Sequence, residues 1–147
     1  MQDHLRVPRA MSIATNTEQA LAIVGSEQPA LATRLASGLG PRVVRVDVDD
    51  EHFDIVADRG RVRVRPCSTE GSDVHARTSV RTLKAVLAGT SSLDDAILSD
   101  AIELFGDPDE LVELEDLLAL FVNAAVRSPS MAALWERFVA EPGGNGT

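Results

Sequence analysis

The chain has 147 residues, of which 44% are hydrophobic, and a formal net charge of −9, as expected for one folded domain. The charge is uneven, because residues 92–147 hold 2 basic and 12 acidic residues. This acidic half lacks the clustered lysine and arginine that bind phosphate backbones, and it disfavours stable docking on anionic membranes by charge. We therefore expect no nucleic-acid partner.

Targeting and redox signals are few. A single cysteine, Cys67, permits no internal disulfide and fits a reducing compartment. No run approaches the ~20 apolar residues of a spanning helix, so we expect no stable membrane insertion. The first residues include Asp3 and His4 and no apolar core segment, unlike a signal peptide. Together with basic residues that are nearly all arginine, these features predict a small bacterial protein of the cytoplasm.

Breaks in the pattern divide the chain into a flexible leader at 1–15, a domain at 16–140 and a disordered tail at 141–147. The domain begins with a helix from Asn16 to Ser37. We expect it to break near Pro29, because proline cannot continue the helical hydrogen bonds.

Four short segments then alternate apolar and polar residues, which predicts strands with one buried face. They are 42–48, 53–58, 61–65 and 73–78. The third reads R-V-R-V-R, so Val62 and Val64 are expected to point inward. Arg61, Arg63 and Arg65 are expected on the solvated face, paired across strands with acidic neighbours. Short turns between the segments predict an antiparallel meander.

The second half carries clear helix starts and stops. Ser79 and Ser92 are placed to cap two helices, and Gly89 to end the first of them. Residues 101–105 predict a fifth strand. Pro108 then opens a long helix with a broad leucine-rich stripe.

A last helix is predicted over 130–140. Its apolar side carries Met131, Leu134, Trp135 and Phe138. The unbranched thioether of Met131 suits ligands of varied shape.

The stretch RTSVRTLKAVLAGTSSLDDAILSDAIELFGDPDEL resembles the second half of the sterol carrier protein type-two domain. The family pattern is a helix ending in glycine, a serine-started helix, a strand, and Gly-Asp opening a leucine-rich helix. Here these parts are 83–89, 92–98, 101–105 and Gly106-Asp107 with Leu111, Leu114 and Leu118. The resemblance spans roughly residues 17–138 and departs at Ser99-Asp100, where many members have Gly-Lys.

The resemblance implies a bacterial stand-alone member of this lipid-transfer family. It also implies an α+β fold in a single domain. In that fold a mainly antiparallel sheet of about five strands has helices packed on one face.

Residues with catalytic or metal-binding chemistry form no known motif. His75, Ser79 and Asp73 lie near one another in sequence, but no nucleophile elbow frames the serine. The acidic start of the long helix lacks the glycine and distal glutamate of a calcium loop, and it fits the helix dipole instead. We therefore predict no enzymatic activity, no catalytic residue, no metal and no cofactor.

The resemblance further implies an apolar tunnel between sheet and helices, which in relatives holds sterols, fatty acids or acyl-CoA. The lining residues carried over by position are Ile55, Val62, Val64, Leu114, Leu118, Phe121, Met131, Trp135 and Phe138. The favoured function is non-enzymatic binding or transfer of an apolar small molecule: a fatty acid, acyl chain, sterol-like or polyketide-like compound. The C-terminal helix would close the tunnel and loosen for exchange.

Periodicity alone does not distinguish a hollow interior from a filled core. The alternative is therefore an interaction or dimerisation module accessory to an enzyme, with a closed core and no ligand. Its partner would be a second copy of the chain or an enzyme. A third hypothesis, an enzyme acting on a lipid inside the tunnel, is disfavoured because no acid–base pair is evident.

Overall fold

The computed structural model describes residues 12–67 and 71–140. It contains six helices and five strands within those residues. In chain order they are α1 (Ile13–Glu27), α2 (Pro29–Leu39), β1 (Val44–Val48), β2 (Glu51–Asp58), β3 (Arg61–Pro66), β4 (Val74–Thr78), α3 (Val80–Ala88), α4 (Leu93–Leu98), β5 (Glu103–Phe105), α5 (Pro108–Val126) and α6 (Met131–Ala140).

The first helix begins earlier than the sequence predicted. Ser12 caps it by accepting a hydrogen bond from the Thr15 backbone N–H, so α1 starts at Ile13 rather than Asn16. The predicted break at Pro29 is confirmed, with α1 and α2 meeting at Gln28. The rest of the expected leader and the tail at 141–147 lie outside the described residues, so both remain predictions.

The predicted caps of the second half are confirmed. The side chains of Ser79 and Ser92 accept hydrogen bonds from the backbone N–H groups three residues on, at the starts of α3 and α4. Gly89 ends α3 in the left-handed conformation at φ 84°, and Pro108 opens α5.

The five strands form one mixed sheet in the order β3-β2-β1-β4-β5. The antiparallel meander is correct for β1 to β3, but the expectation that β4 continues it is wrong, because β4 pairs with β1 in parallel. Asp73 explains the placement. Its carboxylate accepts from the Val43 N–H at 2.8 Å and its own N–H donates to the Val43 carbonyl at 2.9 Å. These bonds hold the start of β4 against the free edge of β1.

The register separates an apolar face from a charged face. Val44, Val46 and Val48 of β1 lie on the same face as Phe53 and Ile55 of β2. Val62 and Val64 share that face, as the sequence predicted, and the helices cover it. The opposite face carries arginine, aspartate and histidine side chains.

Buried apolar side chains form three clusters. The helical cluster comprises Ala20, Val24, Leu35, Ala124, Ala125, Met131 and Leu134. The strand cluster comprises Ile13, Val48, Phe53 and Phe138. The middle cluster comprises Leu39, Val44, Val74 and Leu114. Most domains of this size have one contiguous core, so the divided interior is a feature to be explained.

Candidate ligand-binding site

All nine predicted lining residues lie in the interior, but they are divided among the three clusters. Four belong to or pack against the helical cluster: Val62, Phe121, Met131 and Trp135. Three contact the strand cluster: Ile55, Val64 and Phe138. Four contact the middle cluster: Ile55, Val62, Leu114 and Leu118. Of the nine, only Leu114, Met131 and Phe138 are buried, and the other six are partly exposed.

Four partly buried side chains stand where the clusters meet. Val46 and Ile55 each pack against both the strand cluster and the middle cluster, and Val62 and Leu117 against both the helical and the middle cluster. Val46 is the informative one, because β1 is the central strand and has a neighbour on each side. Val44 and Val48, on the same strand and face, are only 5% and 2% exposed. The apolar contacts are therefore incomplete over the middle of the sheet.

Helix α3 borders the same region. It has an apolar side formed by Val80, Leu83 and Leu87, which pack against the strand cluster. None of its residues is fully buried. The sequence reasoning did not place α3 at the site, although its stripe at three- and four-residue steps was a readable signal.

Two hollows occur at the surface. The first, here the α1–α2–β3 hollow, has a volume of about 510 Å³ and lies between α1, α2 and the start of β3. The second has a volume of about 500 Å³ and lies between the loop before β1 and the strands β2 and β3. Of the predicted lining set, Val62 lines the first hollow and Val64 the second, and the other seven residues line neither.

The charged face of the sheet holds an ion pair that the sequence did not reveal. Asp54 is fully buried and accepts hydrogen bonds from Arg45 Nε at 2.9 Å and Nη2 at 3.3 Å. Cys67 Sγ lies 3.8 Å from the same carboxylate. Burial raises the pKa of the Cys67 thiol, so this cysteine is not an activated nucleophile.

A second acidic residue on this face, Asp47, lies between two histidines. His52 Nδ1 and His75 Nε2 each lie 2.6 Å from one of its carboxylate oxygens. Burial alone would raise the pKa of Asp47, but the hydrogen bonds with the two histidines outweigh it and lower the pKa. His75 is thus engaged with Asp47, while Ser79 Oγ accepts from the Thr82 N–H at 3.1 Å as the cap of α3. The two side chains therefore have separate local partners.

The arginines of β3 are not paired as expected. Arg61, Arg63 and Arg65 are exposed and form no ion pair with any residue in 12–67 or 71–140. The register explains the error, since Arg63 lies opposite Val56 and the aspartate opposite Arg65 is bound by Arg45. Within the same ranges, no group of three or more His, Cys, Asp or Glu residues is arranged to hold a metal ion.

No protein-family model matches the sequence, and no curated protein matches it. Solved structures do match. The fold is similar to a structure described as the UbiJ-SCP2 ubiquinone synthesis protein, with a TM-score of 0.57 and 22% identity over 78% of this chain and 96% of that chain. It is similar to sterol carrier protein domain 2 of Helicoverpa armigera, with a TM-score of 0.55 and 15% identity over 80% and 94% of the two chains. The chain has the sterol carrier protein type-two fold.

A third structure with this fold is sterol carrier protein 2 from Yarrowia lipolytica in its apo form. Its TM-score is 0.50 and its identity 12%, over 78% of this chain and 95% of that one. These likenesses confirm the α+β class, the single domain and the five-stranded sheet that the sequence resemblance implied. The sterol carrier protein fold therefore frames the incomplete contacts over Val46.

Among the described helices, none alone has both the length and the apolar composition needed to cross a membrane. Only α5 and α6 taken together meet that test, and they are bent by 104° where they join.

Proposed function

We propose that this chain binds one apolar small molecule between its sheet and its helices and carries it without enzymatic chemistry. The ligand class is a fatty acid, an acyl chain, or a sterol-like or polyketide-like ring system. The setting we propose is the bacterial cytoplasm. The observation that carries the proposal is the partial exposure of apolar side chains where the three buried clusters meet.

The argument rests on packing density. Protein interiors are normally packed as closely as organic crystals, so a valine on the covered face of a central strand should be fully buried. Val44 and Val48 meet that expectation, and Val46 between them does not. A gap over Val46, bordered by Ile55 and by Leu83 of α3, would accept a slender apolar ligand.

The energetics suit a carrier with broad specificity. Burying each CH₂ of a ligand contributes about 0.8 kcal/mol before the entropy of binding is subtracted. A long acyl chain would thus bind without any polar group at the gap, and one methylene more or less would change affinity little. The structural neighbours named as sterol carrier proteins support this interpretation.

A pair of substitutions tests the gap directly. In Val46→Phe the larger ring would occupy the proposed gap, so binding of a C16 fatty acid and of a sterol should be lost while stability is kept. In the matched control Val44→Phe the ring enters a filled region of the same strand and face, and overpacking should lower the free energy of unfolding by about 1–3 kcal/mol. Binding is measured by titration calorimetry and stability by urea unfolding.

The opposite result is equally clear. If Val46→Phe is as destabilising as Val44→Phe, and the wild type binds neither ligand, the core is closed and the carrier proposal is wrong. Native mass spectrometry of the freshly purified protein, followed by organic extraction, supplies an independent reading. An added mass of a few hundred daltons that extracts as a lipid supports the carrier.

An interaction module is the second candidate, and one observation favours it. Val112 and Val126 of α5 are 61% and 70% exposed, on a helix whose other side packs on the core. If the same native mass spectra show no ligand but a mass twice that of the chain, this helix is the first surface to mutate.

A further inference from the structure

The α1–α2–β3 hollow joins an exposed rim to the apolar interior. Its deepest residues are Val24 and Leu35, which are 1% and 6% exposed and belong to the helical cluster. Val62 also lines it and packs against both the helical and the middle cluster. Val62 therefore stands between the hollow and the interior where the clusters meet.

The rim of this hollow is positively charged. Arg61 and Arg63 line it, both are exposed, and neither forms an ion pair with a described residue. One acidic residue, Glu18, also lines the hollow, and its Oε2 accepts from the Val64 N–H at 3.4 Å on the free edge of β3. The two unpaired guanidinium groups thus outnumber the one carboxylate, in a chain whose net charge is −9.

The edge of β3 adds a backbone donor. The Val64 N–H points away from β2, toward Glu18, so the N–H of Val62, two residues earlier, points from the same edge. Val62 is itself part of the hollow's lining. An anion seated there would meet two guanidinium groups and one N–H, which together match the oxygens of a carboxylate or phosphate.

We propose that the α1–α2–β3 hollow is the headgroup end of the ligand site and selects amphiphiles with a carboxylate or phosphate head. This inference rests on the proposed function and narrows its ligand class from apolar molecules in general to anionic ones. Arg61 and Arg63 bind the head, and the tail enters the interior past Val62. A volume of about 510 Å³ lies within the range of small-molecule sites.

A simpler role for the arginines makes a different prediction. Charged side chains on an edge strand prevent edge-to-edge pairing of sheets. In that role every arginine of β3 is equivalent, including Arg65, which does not line this hollow. The headgroup site instead requires Arg61 and Arg63 specifically.

The test compares palmitic acid with hexadecanol, which has the same chain and a neutral head. The variants are Arg61→Gln/Arg63→Gln and the control pair Arg59→Gln/Arg65→Gln, which removes the same charge from exposed positions of the same hairpin. We expect the wild type to bind the acid more tightly than the alcohol. The first pair should weaken acid binding by about tenfold or more, as for loss of charged hydrogen bonds, and leave alcohol binding unchanged. The control pair should weaken acid binding less than about threefold, since only screened charge is lost.

The outcomes separate the two proposals. If the wild type binds acid and alcohol equally and Arg61→Gln/Arg63→Gln changes neither, the headgroup inference is overturned while the carrier proposal stands. An equal loss of acid binding in both pairs also overturns it, because the effect is then general charge. If inorganic phosphate alone binds as tightly as palmitate, the site serves free anions and the inference is again wrong. If neither amphiphile binds the wild type, the carrier proposal itself has failed.

Discussion

The buried carboxylate of Asp54 is the residue on which the charged face of the sheet depends most. A buried charge is tolerated when it is paired and hydrogen-bonded, and the Arg45 guanidinium supplies two bonds to it. Arg45 is a neighbour across the strand pair β1–β2, at register with Asp54. The pair therefore fixes the register of the two strands as well as neutralising the charge.

Replacing this arginine should be costly. In Arg45→Met the carboxylate of Asp54 loses its main partner inside the protein, and we expect the free energy of unfolding to fall by about 3–5 kcal/mol. Arg63→Met is the matched control, since Arg63 is exposed on the same face and unpaired, and it should change stability by about 0.5 kcal/mol or less. Urea unfolding at pH 7 measures both. Equal effects of the two variants would mean that the Arg45–Asp54 pair contributes no stability.

Asp47 makes stability depend on acid. Its pKa in the folded protein is lowered from the ordinary value of 3.8, because hydrogen bonds with His52 and His75 outweigh burial, which acts in the opposite direction. The unfolded chain therefore takes up the proton first as pH falls. The stabilisation is complete above about pH 4 and is lost as pH drops through the lower folded value.

The variant Asp47→Asn should show this directly. We expect it to be less stable than the wild type at pH 5, and the difference should shrink as pH falls from 4 toward 2, as measured by urea unfolding at each pH. Asp50→Asn, at an exposed turn position next to β2, serves as the control. A difference between Asp47→Asn and the wild type that stays constant down to pH 2 would show that ionisation of Asp47 is not the cause.

At the scale of elements, two glycines in helical regions have opposite requirements. Gly89 ends α3 with φ at +84°, a conformation that residues with a Cβ adopt only at a cost. Gly25 lies inside α1, and a Cβ added there would meet no atom within 4 Å. The first glycine is needed by the backbone, and the second leaves α1 less stable than alanine would.

These positions predict substitutions of opposite sign. Gly89→Ala should lower the free energy of unfolding by about 1 kcal/mol, because alanine is strained in the left-handed cap. Gly25→Ala should raise it by about 0.5–1 kcal/mol, because alanine lowers the entropy lost when a helix forms. Thermal unfolding of the two variants gives the comparison. A stabilising Gly89→Ala would show that α3 does not end there in solution.

The last helix is also held at a defined point. Glu27, at the end of α1, accepts hydrogen bonds from the backbone N–H and the hydroxyl of Ser130, and these bonds lower its pKa. Helix α6 then contributes the buried side chains of Met131, Leu134 and Phe138 to two clusters. Full burial of such side chains stabilises by about 1.5–3 kcal/mol each. Swinging α6 outward would expose them, so entry through the α1–α2–β3 hollow is the less costly route for a ligand.

At the scale of the whole molecule, the proposed ligand would act as part of the core. A ligand that binds only the folded state stabilises it by mass action, by about 2.7 kcal/mol at a concentration 100 times Kd. For a chain of this size each kcal/mol shifts Tm by about 2–4 °C. Bound lipid should therefore be visible in the thermal stability of the entire domain.

Delipidated protein provides that measurement. We expect its Tm to rise by about 5–10 °C when palmitic acid is added to 100 times Kd, and Val46→Phe to show a smaller rise because its gap is filled. Lysozyme-like nonspecific effects are controlled with Val44→Phe, whose gap is unfilled. A Tm that does not move with added fatty acid or sterol would favour the closed-core interaction module.

Much of the architecture was predictable because its causes are local. Ser79, Ser92 and Gly89 mark helix ends through bonds and backbone angles within a few residues of themselves. The alternation at Val62 and Val64 predicts which side of a strand is buried whatever the strand pairs with. The apolar stripes likewise placed all nine candidate lining residues in the interior.

The tertiary structure decided what depends on residues far apart in sequence. The parallel pairing of β4 with β1 follows from which strand edge remains free, and Asp54 is buried because Arg45 of another strand covers it. The unpaired Arg61 and Arg63 and the incomplete packing around Val46 arise in the same way. The sequence by itself determined the elements and their inward faces, since these depend on local backbone preference and periodicity. Where a gap or an unpaired charge remains depends on how distant surfaces fit together, and only the folded chain determines that.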